Sequence, residues 1–315
     1  MTITLSGDIF EVEVAPERGA DIVQITDRAT GVPLLAESPT RHVGRAPAGA
    51  DSMAVWIAGY PGGWQLLVPN AGPERRHDGV EQGFHGEAAL AEWTVLAQTA
   101  TSCELETWLA TAPLHLHRTI TTDADGLVVT DTFRNVSPDP VHVRIVQHPA
   151  FGGAFLDEHS VVSVAAATLV ADADAPGSLA SRGSVGPLGR VLRARVSQRG
   201  IRLPGPGSRE SLFAAFTDLA EAAAEFHSPT HGFGVRLSWD AAAYPHAWFW
   251  IEANASGGWP WFRRLYAIAV EPANVLPGEG ETSDGRLRGG TGVAIDPGEP
   301  LTTTTRLTRL AADAR

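Results

Sequence analysis

Three residues stand where an acid or a base can be tuned. His85 lies in Gly83-Phe84-His85-Gly86, followed by Trp93. Flanking glycines let the backbone turn tightly and leave an imidazole open to a ligand; the competing reading is a loop histidine satisfied by backbone. His148 lies in Gln147-His148-Pro149-Ala150-Phe151-Gly152-Gly153, where a strand ends against a proline and the chain runs into glycines. Such a strand end sets a side chain at a sheet rim, where sites are built. A strand-end histidine capped by its loop is the alternative. Glu271 follows the apolar run Tyr266-Ala267-Ile268-Ala269-Val270 and precedes Pro272. Partial desolvation there raises a carboxyl pKa, and nearby histidines tune it as a general base. Pairing with Arg263 or Arg264 would instead make it structural.

Other residues could shape or charge a site. In Tyr244-Pro245-His246-Ala247-Trp248-Phe249-Trp250-Ile251-Glu252, alternation puts His246, Trp248, Trp250 and Glu252 on one strand face. Two tryptophans among polar residues suit stacking on a sugar ring, and suit equally an inter-sheet core that needs volume. Trp259 and Trp261, in the loop 256–264, are more exposed candidates for a ligand or a partner. Arg75 and Arg76 could hold an anion bidentately or belong to a charged surface loop. His115 and His117 share a strand face, but no further metal ligand follows at a recognisable spacing, so a solvated polar face is expected. The glycine-rich runs match no nucleotide fingerprint.

The elements that must carry these residues read as strands. The dominant period is two, over 103–111, 114–121, 127–133 and 141–147. Turn-like joins separate them: Thr-Ala-Pro at 111–113, Asp-Ala-Asp-Gly at 123–126, and Asn-Val-Ser-Pro-Asp-Pro at 135–140. Short strands at such spacing predict a meandering antiparallel sheet, hence a sandwich or barrel. The best helical candidate is 218–226, rich in alanine and glutamate, which could equally be a turn. The stretch 172–210 reads as a long loop inside one large domain, and 277–292 as a surface loop before a last strand, 300–310. The threonine run of that strand suits a half-exposed edge.

Composition removes whole mechanisms. All 24 basic residues of the 315 are arginine, so no lysine is present for a Schiff base, a pyridoxal-phosphate anchor or a phosphate loop. Cys103 is the only cysteine, which excludes an intrachain disulfide and multi-cysteine metal sites. With 36 acidic residues the net charge is 24 − 36 = −12, unsuited to phosphate-mediated nucleic-acid binding. The N-terminal sequence has no basic-then-apolar leader and no 18-residue apolar run occurs, so a soluble, cytoplasmic protein without membrane partners is expected.

Taken in order, the motifs resemble the galactose mutarotase-like (aldose 1-epimerase) superfamily. Val14-Ala15-Pro16-Glu17-Arg18-Gly19-Ala20-Asp21-Ile22 with Asp27-Arg28-Ala29-Thr30-Gly31 resembles its first hairpin, and Gly62-Gly63-Trp64-Gln65-Leu66-Leu67-Val68-Pro69-Asn70-Ala71-Gly72 the segment leading to its pocket. His85-Gly86 with Trp93 resembles its first histidine motif. Asp131-Thr132-Phe133-Arg134-Asn135 and His148-Pro149-Ala150-Phe151-Gly152 resemble the strand pair ending in its second histidine, and Val270-Glu271-Pro272 its late glutamate.

The resemblance covers essentially the whole chain and implies one large antiparallel β-sandwich, a supersandwich over 1–315, with a sugar on an open face. It also implies an isomerase that interconverts sugar anomers without a cofactor or metal: Glu271 as base, His148 as acid, His85 holding the sugar. Asp240 is the nearest positional candidate for the family's aspartate motif, and Arg75 or Arg76 for its arginine. The small-molecule sugar is the expected partner, and the chain a monomer or homodimer. Two other readings stand beside this one: a non-catalytic carbohydrate-binding or sensing protein on the same scaffold, and an epimerase of a phosphorylated sugar. The charge of −12 tilts the choice towards a neutral sugar.

Overall fold

The computed structural model describes residues 2–41, 46, 48–77, 79–192, 195–277, 280, 281, 287, 288 and 292–311. Its frame is one continuous antiparallel sheet curled face to face around a core. From one end it runs Ile3–Ser6, Phe10–Ala15, Asp21–Asp27, Trp64–Leu67, Val146–Gly152, Tyr266–Ala273, His246–Ala253 and Glu210–Ser228. The last of these has 19 residues and changes neighbours along its length. Its first part pairs with His246–Ala253 and its later part with Phe233–Trp239, while Val161–Ala171 runs along its other edge. The sheet continues through Leu301–Leu310, Gly126–Asn135, Leu114–Thr122, Ser102–Trp108 and Thr94–Gln98.

Local chemistry sets the turns. Asp123 Oδ1 accepts from the N–H groups of Asp125 and Gly126, both at 2.9 Å. Gly126 sits at φ +145, where a Cβ would stand 2.2 Å from the Leu307 carbonyl oxygen, so only glycine lets strand Leu301–Leu310 approach. That strand lies between two neighbours and is not an edge. Its threonines alternate, Thr303 and Thr305 inward, Thr302 and Thr304 outward. The stretch 218–226, read as a helix or a turn, is strand: Ala223, Ala224 and Phe226 are buried against the core. Alternation of its neighbours across the sheet outweighs alanine's helix propensity. The stretch 172–210, read as a long loop, carries short strands and a helical turn and packs Leu192, Ile201 and Leu203 on the main core. Most of the 277–292 loop lies outside the described residues.

A buried polar chain inside the sandwich fixes the register of the strand that bears His148. Arg118 grips Asp131 through two nitrogens, at 2.7 and 3.1 Å. Gln147 donates to Asp131 at 2.7 Å and accepts from the Trp64 indole at 2.9 Å. With Gln147 and Phe151 held inward, period two turns Val146, His148 and Ala150 to the opposite face. A slip of one residue would expose the whole set.

One helix, Ser52–Gly59, covers that opposite face. Asp51 caps it, accepting from the Ala54 N–H at 2.7 Å. Ser52 fastens its start by accepting from the Phe84 N–H at 3.1 Å, and Thr40 its end by donating to the Ile57 carbonyl at 3.1 Å.

Candidate functional site

The outer face under the helix is lined by small residues and walled by aromatics. In Tyr266–Ala273, the side chains of Tyr266, Ile268 and Val270 enter the main core, while Ala267, Ala269 and Ala273 join a second cluster with Trp56, Tyr60, Trp248 and Trp261. Ala269 lies opposite Ala150 across the strand pair. Alanines at these positions take up little space between the aromatics, and Glu271 stands in the same row; this alanine-floored, aromatic-walled patch is called the hollow.

His148, His85 and Glu271 meet there. His148 Nε2 lies 3.7 Å from Glu271 Oε1, too far for a hydrogen bond, and the two side chains are 7% and 1% exposed. The imidazoles of His85 and His148 are 5.9 Å apart between centroids. Trp56 sits 4.6 Å from the His85 ring and 6.1 Å from that of His148; Tyr60 and Trp250 are 5.9 and 5.7 Å from His148. Trp56 and Tyr60 stack on each other at 4.8 Å, and Trp261 closes against Tyr60.

The orientation of His85 is set by backbone. The residue takes φ +60, a strained setting for a side chain with a Cβ. Its N–H donates to the Gly72 carbonyl at 2.9 Å, and its Nδ1 accepts from the Gly72 N–H at 3.0 Å. With Nδ1 an acceptor, the proton of the neutral ring is on Nε2, free to donate to a ligand. Gly86 must be glycine, because a Cβ there would meet the Val68 carbonyl oxygen at 2.5 Å. Asn70 donates to the Pro73 and Gly83 carbonyls, tying the loops on either side.

Burial drives every titratable group here towards neutrality. It pushes the His148 imidazole down to about 4 and the Glu271 carboxyl well above its ordinary range. His85 is held well below the usual histidine range by burial and then by His148. Tyr60 is raised by burial, then by Glu271 and Asp21. The 3.7 Å contact is therefore better described as a neutral pair than as a salt bridge. Several polar atoms in this region are buried and make no hydrogen bond among the described residues: His148 Nδ1, Glu271 Oε2, the Tyr60 hydroxyl and Gln65 Oε1. Gln65 lies directly opposite His148 in the strand register.

The other sequence-predicted residues divide. Trp248 and Trp250 both face the hollow's side of the sheet. Trp248 is buried and donates to the Val275 carbonyl at 2.6 Å, whereas Trp250 is partly exposed beside His148. Arg75 braces the hairpin next to the site, donating to Gln82 at 2.9 Å and to the Pro69 carbonyl at 3.2 Å. Arg76 does not join the site: its side chain is 70% exposed and faces Glu81, because strand alternation turns it away from Arg75. Asp240 does not join it either. It is exposed at the end of Phe233–Trp239 and caps a turn by accepting from the Ala242 N–H at 2.9 Å. His115 and His117 lie on the outer sheet face with Glu106 and Glu104, and among the described residues no group of three or more such side chains could hold a metal. Trp261 is buried in the cluster, while Trp259 is exposed.

Sequence reading missed Trp56, Tyr60 and Gln65. The four-residue spacing of Trp56 and Tyr60 after the capping Asp51 is a helical signal, though a short one. The alternating alanines of 267–273 signal a hollow only once the facing strand is known.

Solved structures share this architecture. The chain is similar over 99% of its length to the Slr1438 protein of Synechocystis sp. PCC 6803, with 16% identity, a TM-score of 0.70 and 96% of that chain covered. A galactose mutarotase-like protein from Lactobacillus casei ATCC 334 matches over 98% of this chain and 100% of its own, at 16% identity and a TM-score of 0.66. A GalM/aldose epimerase homologue from C. elegans matches over 99% of both chains, at 13% identity and a TM-score of 0.66. The fold is thus the galactose mutarotase-like antiparallel β-sandwich. Residues 1–308 match the family model described as "Domain of unknown function (DUF4432)", and the chain belongs to that family. No curated protein matches the chain. Among the described residues no helix is long and apolar enough to cross a membrane.

Proposed function

We propose that the hollow binds a pyranose and that the protein is an aldose 1-epimerase-like isomerase. One observation carries the reading. The buried Tyr60 hydroxyl, His148 Nδ1 and Glu271 Oε2 have no hydrogen-bond partner among the described residues, yet they gather between aromatic side chains. Each such group costs about 1–3 kcal/mol when unpaired, and a polyhydroxyl ring supplies donors and acceptors to all of them while its apolar face meets tryptophan.

In this mechanism Glu271 takes the proton of the anomeric O1–H. The O1–C1 bond becomes a carbonyl as the C1–O5 bond breaks, and His148 delivers a proton to O5. Rotation about C1–C2 and the reverse steps give the other anomer. His85 Nε2–H and the Tyr60 hydroxyl donate to sugar oxygens. The active pair, carboxylate and imidazolium, differs from the neutral pair only by one proton moved from Glu271 to His148. Hydrogen bonds from sugar hydroxyls to the carboxylate favour that transfer. The two groups titrate as a unit, and general acid–base catalysis of this kind contributes about 10²–10⁴-fold.

Polarimetry of freshly dissolved galactose and glucose tests the proposal. Faster approach to the equilibrium rotation than in buffer, lost in Glu271→Gln, supports it; a rate equal to buffer for common aldoses overturns it.

A further inference from the structure

The partly exposed Trp250 has a second role open to it. A cavity of 520 Å³ borders it, within the range of about 300–1,000 Å³ usual for small-molecule sites. Phe213 lines the same cavity and is the cross-strand partner of Trp250. Asp174, Arg182, Ser211 and Ser256 supply the polar lining.

The segment 174–177 of the lining is held by hydrogen bonds. Asp172 Oδ1 accepts from the N–H groups of Asp174 and Ala175, at 2.9 and 2.6 Å. The Phe213 N–H donates to the Pro176 carbonyl at 2.9 Å, and the Asp172 N–H to the Phe213 carbonyl at 3.0 Å. Gly177, at φ +83, lies so close to strand Glu210–Ser228 that a Cβ would stand 2.4 Å from the Ser211 carbonyl oxygen. These bonds tie the segment to the strand that carries Phe213.

We propose that this cavity is a second saccharide subsite, so that the substrate is a reducing disaccharide or longer chain. The inference rests on the assignment of the hollow to a pyranose. The reducing ring occupies the hollow, and the next unit lies against Trp250 and Phe213. The chemistry at Glu271 and His148 requires a free anomeric hydroxyl, so the second unit is joined through another hydroxyl of the first. The lining favours a neutral sugar. Arg182 donates and Asp174 accepts, a mixed set suited to hydroxyls, whereas a phosphate would face Asp174 and a chain of net charge −12.

Titration calorimetry on the full chain tests this with glucose and galactose against maltose, cellobiose and lactose. Two variants accompany the wild type: Ala175→Trp, which fills the cavity from an exposed position, and Arg182→Ala, which removes a donor. At least one disaccharide is expected to bind about tenfold tighter than its monosaccharides, about 1.4 kcal/mol. Ala175→Trp should erase that advantage and leave monosaccharide binding unchanged. Arg182→Ala, at an exposed side chain, should reduce it and serves if the tryptophan variant fails to fold. Monosaccharide binding with no disaccharide advantage, or an advantage unmoved by both variants, overturns the subsite while sparing the hollow. Failure of every saccharide to bind overturns both.

Discussion

Acid should weaken this protein through His148 by a calculable amount. The unfolded chain titrates that histidine near its ordinary 6.5, whereas burial holds the folded value down to about 4. A group with a depressed folded pKa contributes stability that is full above its unfolded pKa. That contribution fades as pH falls, because the unfolded state takes up the proton first. At pH 7 both states are neutral and nothing is lost. At pH 4 the gap amounts to about 3 kcal/mol. Urea unfolding followed by tryptophan fluorescence, at pH 7 and pH 4, measures the loss for the wild type and for His148→Gln. The remaining carboxylates titrate in both proteins, so the difference reports His148 together with its coupling to Glu271 and His85. The wild type should lose about 3 kcal/mol more than the variant over this interval. Equal losses would show that His148 is solvated, and the neutral pair with Glu271 would have to be abandoned.

Glu271 has the opposite sign. Its folded pKa is raised, so its contribution is full below the unfolded carboxyl value and is lost as pH rises through the folded one; Glu271→Gln should therefore gain on the wild type in urea midpoint from pH 5 to pH 8. Tyr60→Phe removes a buried hydroxyl with no hydrogen-bond partner among the described residues and should leave stability unchanged or raise it by about 1 kcal/mol, while sugar binding measured by calorimetry falls about tenfold. Arg118→Ala strips the partner from the buried Asp131 and should cost about 3–5 kcal/mol in urea unfolding. Arg76→Ala, at an exposed ion pair, should move stability by less than about 0.5 kcal/mol and leave sugar binding intact.

The antiparallel sandwich was legible because its strands announce themselves locally. Alternation in Leu114–Thr122 and Gly126–Asn135 is clean, and Asp123 and Gly126 mark the turn between them. Glu271 and His148 were singled out from their neighbours in the chain, and the fold brings them within 3.7 Å, although His148 does not end its strand, which runs on through Pro149 to Gly152. The stretch 218–226 misled because alanine favours helices in isolation and here lies in a 19-residue strand whose partners come from distant sequence. Trp56 and Tyr60 were hidden for a related reason: the two-turn helix that carries them takes its stability from the hollow it covers, not from its own propensity. Arg76 had suitable chemistry but the wrong face of its strand, which only the register reveals, and Asp240 falls in the turn that follows Phe233–Trp239.

The central claim is that His85, His148 and Glu271 surround one pyranose and exchange its anomers. Magnetisation-exchange NMR on equilibrated galactose and glucose measures that exchange directly, without a change in bulk composition. Exchange between α and β anomeric protons should quicken with wild-type protein and return to the buffer rate with folded Glu271→Gln and His148→Gln. Exchange as slow with the wild type as in buffer, or quickened equally by both variants, would contradict it.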